Sequence, residues 1–173
     1  MKRVFLILLA ALPLLALEVG QNLPTLSLEK DEGGRADGSS WSSDSLTGKV
    51  SAIFYVDPDK KSLNEKFTEA LQSQKFDRKY YTSVAIVNMA ATWMPNFAIE
   101  KALQSKQSKY PDTVYVKDRV KKGVKIWHVA DDDVNFIVLS PKGVVLYARS
   151  GKIPEDEYEK IFDTIERSIE TLR

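Results

Sequence analysis

The spacing of apolar and polar positions divides the chain into elements before any motif is considered. Val50–Val56 (VSAIFYV) is apolar almost throughout, the pattern of a strand covered on both faces. Val84 to Met89 repeats that pattern, and residues 113–116 predict a shorter strand. Residues 135–140 (NFIVLS) and 144–149 (VVLYAR) flank Ser140-Pro141-Lys142-Gly143. Proline second and glycine fourth in that tetrad predict a type I turn closing a β-hairpin. Nearer the start, Leu26 and Leu28 alternate with Thr25 and Ser27 after Pro24, predicting another short strand. Residues 29–45 carry three glycines, five serines and little apolar content, which predicts a loop.

Helical spacing appears between these strands. Leu63, Phe67, Ala70 and Leu71 share one helical face. Just before them, Ser62-Leu63-Asn64-Glu65 matches the S-x-x-E capping box, in which hydroxyl and carboxylate satisfy free backbone donors. Pro95 opens a second helix carrying Phe97, Ile99, Ala102 and Leu103, with a stop at Tyr110-Pro111-Asp112. Pro154 opens the last one, where Glu155, Asp156 and Glu157 complement the positive end of the helix dipole. Its apolar stripe is Tyr158, Ile161, Phe162, Ile165, Ile169 and Leu172. Strands alternating with helices, without repeats or an interior linker, predict a single α/β domain over residues 18–173.

Composition narrows the chemistry. A domain near 150 residues buries roughly 70% of the surface its unfolded chain exposes, so it needs no disulfide or metal to fold. The chain has no cysteine, which excludes disulfides, thiol redox chemistry, cysteine nucleophiles and thiolate zinc sites. Its 25 Lys+Arg against 24 Asp+Glu create no field that would attract nucleic acid or anionic lipid. No cofactor is expected.

Residues 1–17, MKRVFLILLAALPLLAL, form an address rather than part of the fold. Lys2 and Arg3 precede an apolar stretch too short to span a bilayer, which takes about 20 residues, but suited to a secretory signal. Cleavage is expected beside Ala16; the alternative is an uncleaved N-terminal anchor. Losing Lys2 and Arg3 leaves 23 basic against 24 acidic residues. The expectation is therefore a near-neutral periplasmic protein, carried across the inner membrane and not stably inserted in it after cleavage.

Specific words add a resemblance. Val19-Gly20-Gln21 with Pro24, then Leu46-Thr47-Gly48-Lys49-Val50, resemble the opening of exported thioredoxin-like proteins and peroxiredoxins. VLSPKGVVLYARSG at 138–151 resembles their hairpin and the glycine after it. With IVNMA and KYPDTVYVKD, these words resemble the YtfJ family of small periplasmic proteins of unknown function, over about residues 19–172. The resemblance implies a thioredoxin-like three-layer α/β fold, a central mixed sheet with helices on both faces. It transfers no reaction. It places the usual C-x-x-C where this chain has Asp57-Pro58-Asp59-Lys60-Lys61-Ser62. The usual cis-proline is replaced within Asp131-Asp132-Asp133-Val134-Asn135. Disulfide exchange and thiol peroxidase activity are thereby excluded.

Two functions remain. The first is a redox-inactive, non-catalytic module that binds a protein or peptide through the former active edge, at Asp57, Asp59, Lys60, Lys61, Asp131, Asp132 and Asp133. The alternative is a carboxylate-based enzyme at the same aspartates, since the resemblance brings their two loops together and hard divalent cations take oxygen ligands. Two such carboxyls could also divide acid and base roles. Against this, aspartates commonly end strands and cap turns, and neither tract has calcium-loop spacing. His128, the one histidine, is expected to be structural. The Lys117–Lys125 cluster is expected to be a solvated edge, and Trp93-Met94-Pro95 with Phe97 to be core or staple packing. Trp41 matters to function only if exposed.

Overall fold

A computed structural model describes residues 17–173. The expected signal segment, Leu17 apart, lies outside the described residues. The chain runs β1 (Ser27–Leu28), β2 (Gly33–Arg35), β3 (Trp41–Ser42), β4 (Val50–Val56), α1 (Glu65–Ser73), β5 (Tyr81–Asn88) and α2 (Asn96–Lys109). It continues with β6 (Thr113–Asp118), α3 (Lys122–Trp127), β7 (Val134–Leu139), β8 (Val145–Ser150) and α4 (Tyr158–Glu170). Six strands form a mixed sheet in the order β2-β6-β5-β4-β7-β8, in which β4, β5 and β6 are parallel and the other pairings antiparallel. β1 and β3 pair separately.

This order positions the helices. The steps from β4 to β5 and from β5 to β6 move the same way across the sheet. Right-handed crossovers therefore put α1 and α2 on the same face. Side-chain alternation agrees: Val50 and Ala52 of β4 pack with Phe67 and Leu71 of α1 and with Ile161, Ile165 and Ile169 of α4. On the same face, Ile99 and Leu103 of α2 cover Tyr115 of β6. The opposite alternation, Ile53 and Tyr55 with Val84 and Ile86, is covered by Leu26, Leu28, Trp41, Leu46 and Trp127. The Trp127 indole donates to Pro24 O at 2.7 Å and ties α3 to the N-terminal segment. The fold is α/β and thioredoxin-like, with helices on both faces of the sheet.

Four expectations change. Residues 29–45 are not merely a loop, because β2 extends the sheet beyond β6 and β3 pairs with β1. Gly33 permits the first pairing: with φ at +139°, a Cβ there would lie 1.9 Å from Lys117 O. The Val84 strand starts earlier, at Tyr81, and Met89 already belongs to a short 3-10 turn. A short helix, α3, rises from what reads as a basic turn. Finally, the Ser62–Glu65 capping box does not form. Asn64 precedes α1, and its side chain reaches across the fold instead. Its Nδ2 donates to Gly151 O at 3.0 Å, and its Oδ1 accepts from Ile153 N–H at 2.9 Å.

Candidate functional site

The three parallel strands end together, and the segments leaving them make one edge. β4 continues into Asp57, whose N–H donates to Asp133 O at 3.0 Å. The two aspartate loops therefore meet through the backbone. Their side chains do not pool. Asp57 is 4% exposed, and its Oδ1 accepts from Asp59 N–H at 2.8 Å, capping the 58–60 turn. Asp133 Oδ1 accepts from Val134 N–H at 2.8 Å. Asp131 accepts from Lys121 Nζ at 2.6 Å and from Asn88 Nδ2 at 2.8 Å. Asp59, Lys60, Lys61 and Asp132 are exposed. Among the described residues, no group of three or more His, Cys, Asp or Glu side chains is placed to hold a metal ion. Asp57 and Asp133 accept from local backbone N–H groups and Asp131 is held in an ion pair, so proximity of the loops does not bring these three carboxylates onto one ligand.

The Asp131–Lys121 contact carries the clearest electrostatic signature of the edge. Burial works to raise the Asp131 carboxyl, but hydrogen bonds from Lys121 and Asn88 outweigh it and hold the group below the usual carboxylate range. The same bond, against partial burial and with help from the charges of Asp131, Asp132 and Asp57, raises the Lys121 ammonium.

Beneath the edge lies a buried polar core that the motifs did not announce. Asp118, at the end of β6, has no exposed surface. Its Oδ1 accepts from the N–H groups of Val120 (3.1 Å) and Lys122 (3.0 Å). Its Oδ2 accepts from the Tyr55 hydroxyl (3.0 Å) and Gly123 N–H (2.7 Å). One carboxylate thus satisfies the donors at the start of α3 and the phenol of β4. Burial, then the Asp118 charge, pushes the Tyr55 phenol well up. Gly123 is required here, since a Cβ would stand 2.3 Å from the Tyr55 ring. Asn135 adds a second node, accepting from Ala130 N–H (3.0 Å) and Ser150 Oγ (2.5 Å) and donating to Ala130 O (2.8 Å). The sequence reads this stretch as a basic turn, so no helix start marked Asp118 as a cap.

Several readings of single residues change. Trp93 is 91% and Phe97 74% exposed, so these aromatics are neither core nor staple. α2 turns Ile99 and Leu103 inward, and Phe97, two residues before Ile99, lies about 200° round the helix from it. Only Met94 of that group packs inward, beside Ile99. Trp41 is buried at 3% exposure. Lys117 is buried, and three neighbours of the basic cluster are engaged: Arg119 with Glu100, Lys121 with Asp131, and Lys122 with Glu32. The solvated edge is in fact an ion-paired one. His128 is exposed and ends α3 in a left-handed conformation, with φ at +52°.

A groove of about 480 Å3 runs from this edge between α1 and α2. Val56, Pro58, Lys61 and Val134 line its near end.

Comparison with known proteins agrees with the geometry. The family model described as "Bacterial protein of unknown function (YtfJ_HI0045)" matches residues 19–168. The chain is 24% identical over 161 residues to the uncharacterized protein YtfJ of Escherichia coli K12, covering 87% of this chain and 86% of that one. Among solved structures, a putative protein disulfide isomerase from Bacteroides thetaiotaomicron superposes with a TM-score of 0.64 at 16% identity. The match covers 89% of this chain and 91% of that one. A putative thiol:disulfide interchange protein DsbE from Chlorobium tepidum gives 0.62 at 16% identity, covering 89% and 99%. These structures share the fold, while the matched family shares the sequence words. The chain belongs to the YtfJ family of bacterial proteins of unknown function, a thioredoxin-like scaffold here built without any cysteine.

Proposed function

We propose that the protein is an exported, redox-inactive binding module that engages a protein or peptide through the former active edge. The observation that carries this reading is the exposure of Trp93 and Phe97 on the segment leaving β5. Large aromatics held in the open at one place favour association, because Trp in particular dominates the energetics of protein interfaces. Asp59, Lys60, Lys61 and Asp132, exposed on the two aspartate loops, add polar groups of both signs to the same edge. Export rests on the sequence of residues 1–17. Absence of a thiol removes exchange chemistry but leaves the shape of the edge available for docking.

The test is chemical crosslinking in the native compartment, comparing wild type with the Trp93→Ala/Phe97→Ala chain. The reading expects a discrete crosslinked species with wild type and its loss in the double variant, at equal protein level and unchanged thermal unfolding. The same species from both chains would overturn it.

A further inference from the structure

The groove between α1 and α2 has a composition that the edge does not explain. Its floor is Phe54 of β4 with Ala85 and Val87 of β5, and its walls include Leu71 of α1 and Ile99 and Leu103 of α2. Residues from Tyr81 to Val87 line it along β5, a run of about 20 Å. A volume near 480 Å3 lies within the ~300–1,000 Å3 typical of small-molecule sites.

The two ends differ in charge. At the former redox edge the lining contributes one cation, Lys61. At the far end four cations converge from two elements: Lys75 and Arg78 just beyond α1, and Lys106 and Lys109 in the last turn of α2. Among the described residues, Asp112 is the only acidic one lining the groove. Among the described residues, none of these four cations takes part in an ion pair. Arg78 is held at the mouth, its Nη1 donating to Ser83 Oγ at 3.3 Å and its guanidinium 5.3 Å from the centre of the Tyr81 ring.

We infer that this groove binds a long-chain amphiphilic anion of the fatty-acid type. Its hydrocarbon lies along Ala85 and Val87, and its carboxylate faces Arg78, Lys106 and Lys109. The alternation that leaves Phe54 and Ala85 half-buried on this face supplies an apolar bed, and the unpaired cations supply the complementary charge. An extended peptide suits the groove less well. β4, β5 and β6 are each paired on both sides, so the floor offers no strand edge to a peptide backbone. A hydrocarbon chain carries no donors or acceptors and needs no such edge. Neither Trp93 nor Phe97 lines the groove, so either proposal can fail without the other.

Isothermal titration calorimetry on the protein tests the inference, with palmitate as probe, hexadecanol and hexadecylamine as neutral and cationic controls, and an acidic peptide as competitor. The expected result is saturable one-to-one palmitate binding that exceeds both controls and resists the peptide. It should weaken about ten-fold in the exposed-site variant Lys106→Glu/Lys109→Glu. Ala85→Phe, which fills the floor, should abolish it. If Ala85→Phe does not fold by thermal unfolding, the lysine variant alone decides. No saturable palmitate binding, equal binding of the alcohol or amine, displacement by the peptide, or undiminished binding in the lysine variant would each overturn the inference.

Discussion

The two faces of the central sheet follow the same strand alternation but are covered differently. One face is sealed: Leu26, Leu28, Trp41 and Trp127 close over Ile53, Ile86 and Ile137 in one continuous cluster. The other is divided, with α1 and α4 over β4 and β7, and α2 over β5 and β6. Between those two clusters lies the groove. The strands thus supply one surface for stability and one with room for a ligand. The difference comes from what crosses over them. Long N-terminal segments drape the sealed face, whereas two separate crossover helices cannot cover the line between them.

The comparison can be broken by removing the same side chain from each face. Leu28→Ala, in the sealed cluster at 0% exposure, is expected to cost about 4–5 kcal/mol, because a closed cavity cannot collapse. Leu103→Ala, in the wall of the groove, is expected to cost only about 2 kcal/mol, since its void merges with an existing opening. Urea unfolding with matched slopes measures both, and equal losses would remove the distinction between the faces. Between these two in size falls Asp118→Ala. It strands the donors of Tyr55, Val120, Lys122 and Gly123, and is expected to cost about 3 kcal/mol. The same variant should bring the Tyr55 phenol down toward its ordinary range, read by ultraviolet titration, since the Asp118 charge helps hold it up.

The smallest effect is that of Lys121→Ala, about 0.2–1 kcal/mol, appropriate to a half-exposed ion pair. Its pH dependence has a definite sign. The Asp131 carboxyl is lowered on folding, so its contribution is present above the ordinary value of 3.8 and is lost as pH falls through the depressed one. The Lys121 ammonium is raised, so its contribution is present below 10.5 and is lost as pH rises through the elevated value. The deficit of the variant should therefore be flat from about pH 5 to 10 and vanish at both extremes. A deficit that changes across neutrality would point to another group.

Long apolar runs made most of the scaffold readable. Val50–Val56, the 138–151 hairpin and the Ile161–Ile165–Ile169 stripe are where the pattern puts them, because burial on one or both faces leaves a period in the sequence. Short polar elements were not readable. β2 depends on Gly33 approaching Lys117 O closely, a tertiary fact with no local period. The Ser62–Glu65 capping box failed because Asn64 found partners at Gly151 and Ile153, 87 and 89 residues away. At the edge, the pairing of the two aspartate loops follows from the resemblance, but the destination of each carboxyl does not. Asp57, Asp131 and Asp133 each found nearer donors than a shared ligand. Trp93 and Phe97 read as core because composition cannot tell which side of a helix meets the sheet when only Ile99 and Leu103 do so.

The central claim is that a thioredoxin-like edge without thiols serves as a docking surface. It is tested most directly by photocrosslinking from a benzophenone amino acid placed at position 93, with position 167, exposed on α4, as control. The account predicts a discrete adduct from position 93 and none from 167. Excess unlabelled wild type should suppress it, and the Trp93→Ala/Phe97→Ala chain should not. No adduct at 93, the same adduct from 167, or equal suppression by both competitors would contradict it.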